Sequence, residues 1–356
     1  MTLRLCRRKG VWVVPPSRLE ALGVVSSEIH EDPAVAFAVA HELGMGYVDI
    51  GTLWGKPVSA LSTEELRRVR QLAERYGLQA VMVGPTPFKG AIVAGLSASH
   101  LDAFPPFRRD LEELEASLKA AKYLEARFAR VFSFRWPHMQ GLGYPSPRHP
   151  SGGEIPPDVL AVVAAGLRRA AELADRYGVD LALENVRSCY GNSGRNTRLI
   201  VDAVGHERLK VAWDPANAYV SGEERAYPEG YEAVRPYVRH VHVKDARVVD
   251  AAQGLTAWEC VGRGAVDYVG QFRALAVDGY GGVLCLETHW APSGLTPEAA
   301  TRTSFAGLLE ARRLALAGGG ARKEAGEESG ERAGEGAGTR EGTGQGEGGD
   351  AYGRGA

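Results

Sequence analysis

The sequence lacks the features that mark membrane, secreted and nucleotide-binding proteins. No apolar run approaches the roughly 18 residues that a membrane helix needs, and the short run at residues 11–14 leads into two prolines, which makes a poor secretory signal. The four cysteines form no C-x-x-C pair, which favours a reduced, cytoplasmic protein. No G-x-G-x-x-G follows the first predicted strand and no P-loop occurs, so a phosphate-cradling loop is not indicated.

A strong excess of one charge is also missing. The formal net charge is -2 for 356 residues and the pI is about 6.5, so no electrostatic attraction to nucleic acid or to anionic membranes is expected. With 44% hydrophobic and 24% charged residues, the composition is that of a soluble globular protein with a large core. Small-molecule partners are therefore favoured, and a homo-oligomer is left open.

Strand-like and helix-like patterns alternate along the chain with a repeat of about 35 to 40 residues, which indicates βα units and a parallel sheet. Helix starts are marked by Asp32 before a proline and by the capping box of Ser62 and Glu65. The eight predicted strands are residues 23–27, 47–50, 78–83, 128–134, 179–184, 209–213, 238–243 and 283–286. Eight such units predict a (β/α)8 TIM barrel rather than an open doubly wound sheet.

The barrel is expected to be a single domain that spans residues 21–316. Residues 1–20 have no periodicity and are expected to form a loose extension. Residues 317–356 are almost entirely Gly, Glu, Ala, Arg and Thr. Because this segment has too little apolar surface to offset its ordering entropy, a disordered C-terminal tail is predicted.

Predicted strands five to eight end in residues that can bind a cation. These residues are Glu184, Asp214, His242 and Glu287. Pro215 cannot continue a ladder, so the backbone is expected to leave the sheet directly after Asp214. Since the carboxyl ends of barrel strands gather at one face, the four side chains should converge there. One acid at a strand end is more often a helix cap or an ion-pair partner, but four ends in succession favour a metal site.

Three carboxylates and one imidazole form an oxygen and nitrogen ligand set, which suits Mn, Mg, Co or Zn. His240 and His242 share one strand face because strand side chains alternate, and only His242 is near enough to the carboxyl end to reach the site. Lys244 follows on the same face, where it could touch a substrate oxygen. The competing interpretation is that both histidines are simply buried and hydrogen bonded.

Aromatic and basic residues near strand ends are candidates for the wall of a cavity. Tryptophans could stack there on the apolar face of a sugar, although capping the barrel core is an equal alternative. They are Trp54, Trp136, Trp213 and Trp290. Arginines that could bind hydroxyl groups or a phosphate are Arg135, Arg247 and Arg263.

Over roughly residues 20–316 the chain resembles the xylose isomerase-like TIM-barrel superfamily, specifically its sugar phosphate isomerase/epimerase group. The motifs that carry the resemblance are Leu183-Glu184-Asn185, Trp213-Asp214-Pro215-Ala216-Asn217, His240-Val241-His242-Val243-Lys244-Asp245, Val261-Gly262-Arg263-Gly264-Ala265-Val266-Asp267 and Leu286-Glu287-Thr288. Together they are specific because they follow the family's order and approximate spacing.

The resemblance implies that one divalent cation is bound by Glu184, Asp214, His242 and Glu287. It also implies that Glu184 and Glu287 act as acid and base on opposite faces of a sugar or sugar phosphate, through a metal-stabilised enediolate, as in an isomerase or epimerase. The substrate-binding residues proposed from the sequence are Asn217, Lys244, Arg247 and Trp290. Asn217 stands where many relatives have a histidine, which leaves the identity of the substrate open.

Three other functions compete with an isomerase as interpretations of the sequence. An inosose-type dehydratase needs the same enediolate and expels a β-hydroxyl group, so the sequence does not separate the two. An abasic-site endonuclease of the same superfamily would need further histidines after strands two and three and an Asp-x-His after strand seven, whereas none follows Asp245 until His289. A non-catalytic sugar-binding barrel is disfavoured because both glutamates are intact.

Overall fold

Eight parallel strands pair in chain order and close into a barrel, which confirms the fold expected from the sequence. The computed structural model describes residues 19–137, 146–147 and 153–317. The strands are β1 (Leu22–Val25), β2 (Tyr47–Ile50), β3 (Gln79–Val83), β4 (Phe128–Val131), β5 (Asp180–Glu184), β6 (Leu209–Trp213), β7 (Val238–Val243) and β8 (Leu284–Leu286). Pairing of Leu22 with Leu284 joins β1 to β8 and closes the ring. The predicted extension at residues 1–18 and the predicted tail at 318–356 lie outside the described residues.

Helices connect the strands, as in a TIM barrel. Those within the described residues are α1 (Pro33–Glu42), α2 (Thr63–Arg75), α3 (Pro105–Tyr123), α4 (Pro157–Tyr177), α5 (Gly194–Val204), α6 (Pro215–Val220), α7 (Tyr231–Val234), α8 (Tyr268–Val277) and α9 (Pro297–Ala317). Short 3-10 turns occur at Ser26–Glu28, Val58–Ala60 and Ala98–Ala103, and a π-helical turn at Ala226–Gly230. In residues 19–137 and 153–317 no helix has the length and apolarity needed to cross a membrane.

Local signals set several helix ends. The Asp32 side chain accepts a hydrogen bond from the backbone of Ala34 and caps α1. Ser62 and Glu65 form the predicted capping box of α2. Gly178 ends α4 with a φ of 69°, a left-handed conformation that glycine adopts without steric cost.

The fourth strand is shorter than predicted, since β4 ends at Val131 rather than at residue 134. The chain turns away at Phe134, which has a φ of 60°, and pairs with the loop after β5 instead. Arg135 forms an isolated antiparallel bridge with Cys189 there. The loops that follow β4 and β5 are therefore joined to each other.

The barrel interior contains small apolar residues below a polar layer. Ala182, Ala212 and Cys285 belong to one buried cluster inside the barrel. Each precedes an acid of the predicted metal site by two positions, so side-chain alternation puts the acid on the same inward face one layer higher. Small side chains below leave room for buried polar groups above.

A β-hairpin that the sequence analysis did not predict rises from the end of β7. Its strands, Asp245–Asp250 and Leu255–Glu259, pair antiparallel, and Ser146–Pro147 adds a third strand. The Asp245 carboxylate accepts hydrogen bonds from the backbone of Gly262 at 3.0 Å and Gly264 at 2.9 Å. This fixes the loop after the hairpin against the end of β7.

Candidate functional site

The four ligands predicted from the sequence converge at the carboxyl ends of β5 to β8. One potential ligand atom from each of Glu184, Asp214, His242 and Glu287 lies within 4.8 Å of the others, and all four side chains are buried. The structure therefore brings together the residues that the sequence analysis selected as a set.

Asparagines hold the two acids on β5 and β6 in register. The side chain of Asn185 accepts a hydrogen bond from the Asp214 backbone N–H at 2.8 Å and donates one to the Asp214 carbonyl at 2.7 Å. Asn217, in the first turn of α6, donates through Nδ2 to Asp214 Oδ2 at 3.0 Å and to Glu184 Oε1 at 3.2 Å. Asn217, predicted as a substrate-binding residue, is thus in the site and contacts two of the acids.

The orientation of His242 is set by Asp49 on β2. Asp49 Oδ2 lies 2.7 Å from His240 Nε2 and 3.2 Å from His242 Nε2. Burial opposes ionisation of Asp49, but the two imidazoles outweigh it and hold the pKa well below its usual range. An ionised Asp49 can only accept, so Nε2 of each histidine carries a proton. His242 Nδ1 then faces the acids, 3.1 Å from Glu287 Oε2 and 3.4 Å from Glu184 Oε1.

A buried lysine and a partly buried arginine touch the acids. Lys244 Nζ lies 2.5 Å from Glu287 Oε2 and 2.9 Å from Asp214 Oδ2. Arg130, on β4, lies 3.0 Å from Glu184 Oε2 and 3.6 Å from Glu287 Oε1. Lys244, which the sequence predicts to touch a substrate oxygen, contacts the proposed metal ligands directly and also lines the cavity described below.

Arg130 was not among the residues predicted from the sequence, although the sequence contains a signal for it. Phe128, Arg130 and Phe132 alternate with period two, so an arginine shares the inward face of a strand with two aromatic residues. A charge in that position implies a buried partner.

The acids differ in their ionisation. Burial would raise the pKa of Glu184, as would Glu287, but Arg130 and His242 bring it down to about 2. Burial likewise opposes ionisation of Glu287, yet Lys244 and His242 hold its pKa well below the usual range. For Asp214 burial prevails over the attraction of Lys244 and raises the pKa to about 6. The two glutamates are therefore ionised at neutral pH, while Asp214 is close to its titration range.

A cavity of about 420 Å³ opens onto this centre, a size that suits one small molecule. Arg247 and Trp290, two of the predicted substrate-binding residues, are not among the residues that line it. Arg247 points along the hairpin and pairs with Glu259 at 2.7 Å. Trp258, on the facing hairpin strand, does line the cavity, and Lys244 Nζ lies 5.3 Å from the centre of its ring.

The other predicted tryptophans also lie away from the cavity lining. Trp213 is fully buried and donates to Gln271 of α8 at 3.0 Å, because it occupies the outward face of β6, next to the inward Asp214. Trp54 donates to Asp32 at 3.3 Å, and Trp136 packs on Tyr190. All three pack in or against the hydrophobic core, which agrees with the alternative that they cap the barrel core.

Comparison with known families decides where this barrel belongs. A sequence profile described as xylose isomerase-like TIM barrel matches residues 37–311. The chain belongs to the xylose isomerase-like TIM barrel family. The resemblance seen in the motifs is thereby confirmed.

Solved structures of the xylose isomerase-like type have the same fold. A xylose isomerase-like TIM barrel protein from Mycobacterium smegmatis, in complex with magnesium, is 20% identical with a TM-score of 0.58 and coverage of 80% of this chain and 89% of that chain. D-Psicose 3-epimerase from Clostridium cellulolyticum H10, with D-tagatose, is 17% identical with a TM-score of 0.61 and coverage of 83% and 99%. The probable 3-DHS dehydratase AsbF from Bacillus anthracis is 15% identical with a TM-score of 0.58 and coverage of 80% and 97%. No curated protein gives a significant match.

The residues of this xylose isomerase-like barrel fit a divalent cation. His242 Nδ1 is a buried nitrogen without a hydrogen-bond partner, although it faces two carboxylates at short range. Such a nitrogen is oriented for coordination, and its opposite nitrogen is bound by a carboxylate, as is usual for metal-ligating histidines. Burial would lower the pKa of His242, but Glu287 and Glu184 raise it well above its usual value. A proton on Nδ1 therefore competes with any cation for this group.

Proposed function

We propose that this chain is a divalent-metal-dependent isomerase or epimerase of a small sugar or sugar phosphate, which transfers a proton next to a carbonyl group. The convergence of Glu184, Asp214, His242 and Glu287 within 4.8 Å at the mouth of the barrel carries the proposal. A cytoplasmic location and the lack of a nucleic-acid partner are proposed from composition alone. Mn, Mg, Co and Zn all suit the ligand set.

Glu184, Asp214, His242 and Glu287 would hold a divalent cation, whose positive charge would make the C–H next to a substrate carbonyl group more acidic. Glu184 and Glu287 are the proton-transfer pair. Glu184 ends β5 and Glu287 directly follows β8, with β6 and β7 between these strands, so their carboxylates reach the cavity from different sides. One ionised glutamate takes the proton from carbon. In an isomerase the same glutamate returns this proton to the adjacent carbon, whereas in an epimerase the other glutamate first takes up a proton from solvent and delivers it to the opposite face of the same carbon.

Arg130 supports this division of roles. It touches both glutamates, at 3.0 Å and 3.6 Å, and it keeps Glu184 ionised and ready to act as a base. When Glu184 takes a proton, Arg130 remains paired with Glu287, so no charge is left isolated in the buried centre.

A dehydratase is the second candidate, because the probable dehydratase from Bacillus anthracis shares the fold with the epimerases. It would use the same proton removal and then expel a hydroxyl group from the next carbon. The two functions differ in their products and not in the residues that begin the reaction.

The test is proton exchange with solvent. The Mn-loaded chain is incubated in deuterated water with ketoses, ketose phosphates and inososes, and deuterium uptake and products are followed by NMR and mass spectrometry. A new epimer or aldose supports an isomerase, and loss of water supports a dehydratase. Glu184→Gln and Glu287→Gln should each lower exchange by about 10²–10⁴-fold, the usual contribution of general acid–base catalysis.

A matched control is Glu112→Gln, since Glu112 is exposed on α3 and far along the chain from the site. It should exchange at the wild-type rate. Exchange that survives in the Glu184→Gln, Glu287→Gln double variant would refute the mechanism.

A further inference from the structure

The cavity has a second group of charged residues, separate from the acids and their two cations. Lys89, Arg135 and Arg187 all line it. They follow β3, β4 and β5 respectively, so they occupy the side of the mouth beside Glu184. The proposed proton transfer uses none of them.

Backbone contacts hold these three cations in place. The Arg135 N–H donates to the Ala91 carbonyl at 2.8 Å, which ties Arg135 to the segment that carries Lys89. Arg135 also bridges to Cys189, two residues beyond Arg187. Because the three segments are bonded to one another, the cations are presented by a fixed wall and not by separate free loops.

Lys89 and Arg135 differ from the two cations at the acids in their ion-pair partners. Arg130 and Lys244 are neutralised by direct contact with acids. Lys89 and Arg135 form no ion pair within residues 19–137 and 153–317, and the buried Nε of Arg135 has no hydrogen-bond partner. A partly buried guanidinium whose buried Nε donor has no partner is destabilising unless an anion binds it.

Lys89 lies in a setting that would gain from an anion. Its Nζ is 4.7 Å from the centre of the Phe132 ring, and the Arg130 guanidinium lies 5.1 Å from the same ring. Burial lowers the pKa of Lys89, and the nearby Arg130 lowers it further. A bound anion would offset both effects.

We infer that Lys89, Arg135 and Arg187 form an oxyanion subsite, and that the molecule bound in this cavity carries a carboxylate or a phosphate group. That this molecule is also the one whose proton is transferred rests on the proposed function. Arg side chains bind both oxyanions through paired N–H donors, and Lys adds a compact charge. The anionic end would lie against this wall, with the carbonyl directed to Glu184 and Glu287.

Binding is tested first without any reaction. Inorganic phosphate is titrated calorimetrically into the full chain loaded with Mg²⁺, for wild type, Lys89→Met, Arg135→Gln and the double variant. Arg187 stays unchanged because it is buried and has other interactions. Loss of one charge-assisted contact should weaken Kd by about tenfold or more.

Controls separate this effect from general charge and from folding. Arg108→Gln removes an exposed arginine of α3 that lies outside the cavity lining and should leave Kd unchanged. Melting temperatures check each variant, and Lys89→Met tests the subsite on its own if an Arg135 variant does not fold. Absence of phosphate binding by wild type, or a double variant within about twofold of wild-type Kd, overturns the inference.

Proton exchange then identifies the source of the oxyanion. Neutral ketoses, ketose phosphates and sugar acids are compared in deuterated water. A preference for phosphates or for acids that is lost in the double variant, mainly through KM, supports the corresponding source. Equal kcat/KM for neutral and anionic substrates in both proteins overturns the subsite and leaves the proposed function standing. Phosphate binding that weakens in the variants, without exchange of any substrate, supports the subsite and contradicts the proposed function.

Discussion

Replacing Lys244 by methionine should affect stability and metal binding in opposite directions. The Lys244 ammonium lies between Asp214 Oδ2 and Glu287 Oε2, two oxygens that the proposed cation would also need. Without a metal, Lys244 compensates buried negative charge. With a metal bound, the same ammonium repels it.

The loss of stability can be estimated from the contacts. Removing one partner of a buried ion pair costs about 3–5 kcal/mol. Asp214 limits part of this cost, because its pKa is about 6 and protonating it at pH 7 costs only about 1.4 kcal/mol. We therefore expect Lys244→Met to lose about 2–4 kcal/mol of unfolding free energy at pH 7 in chelator.

The loss of unfolding free energy in Lys244→Met should become smaller as the pH falls. Without Lys244 the pKa of Asp214 rises further, so the folded variant binds a proton that the folded wild type does not. The variant therefore gains stability relative to wild type as the pH falls from 7 to 6, and the difference between the two narrows.

Metal binding should improve in the same variant. Two unit charges 4 Å apart interact by about 4 kcal/mol at an effective dielectric constant of 20, and a divalent ion doubles the charge on one side. A third of this interaction energy between unit charges, about 1.4 kcal/mol, already corresponds to a tenfold change in Kd. We expect Mn²⁺ to bind Lys244→Met at least about tenfold more tightly than wild type.

Urea denaturation in chelator and in Mn²⁺, at pH 7 and pH 6, measures the stability terms, and calorimetry measures Kd. Lys56→Met is the matched control, because Lys56 forms an exposed ion pair with Glu65 at 2.6 Å. It should cost at most about 1 kcal/mol and leave Mn²⁺ binding unchanged. An equal loss for Lys244→Met with and without Mn²⁺, together with an unchanged Kd, would refute the reasoning.

Two further predictions concern the metal and the C-terminus. Mn²⁺ at 100 times its Kd should raise the unfolding free energy by about 2.7 kcal/mol. This gain should shrink as the pH falls from 7.5 to 5.5, because protons on His242 and Asp214 compete with the cation. Melting curves across that range with Mn²⁺ and with chelator measure the gain, and a pH-independent gain would contradict the assignment of ligands. Removal of the residues after Gly318 should leave the melting temperature within about 2 °C of wild type, since their composition offers no core-forming segment, and a large loss in calorimetry would show that they contribute to folding.

Features encoded locally were predictable from the sequence. β6 and β7 have the predicted bounds, because apolar residues recur along each strand and a charged residue, Asp214 or Lys244, follows directly. Asp214 leaves the ladder where Pro215 requires it and caps α6 by accepting a hydrogen bond from Asn217. Strand alternation and one proline were enough to locate these side chains.

Features that depend on distant contacts were not predictable in the same way. The hairpin after β7 is held by Asp245, whose partners Gly262 and Gly264 lie 17 and 19 residues further along the chain. Trp258 reaches the cavity because the hairpin carries it there, whereas Trp213, beside a ligand in sequence, faces outward. Arg130 belongs to the site because it contacts acids at the ends of two other strands, Glu184 and Glu287. In each case the deciding partner is distant in sequence.

The imidazole of His242 connects the packed interior of the barrel with the floor of the cavity. Its Nε2 is bound to Asp49 in the packed interior, and its Nδ1 faces the acids at the cavity floor. Asp49 is not among the residues that line the cavity, yet it sets how strongly Nδ1 attracts a proton or a cation. For the proposed metal site, we therefore expect substitutions of Asp49 on β2 to change the preference among metals without altering the residues that line the cavity.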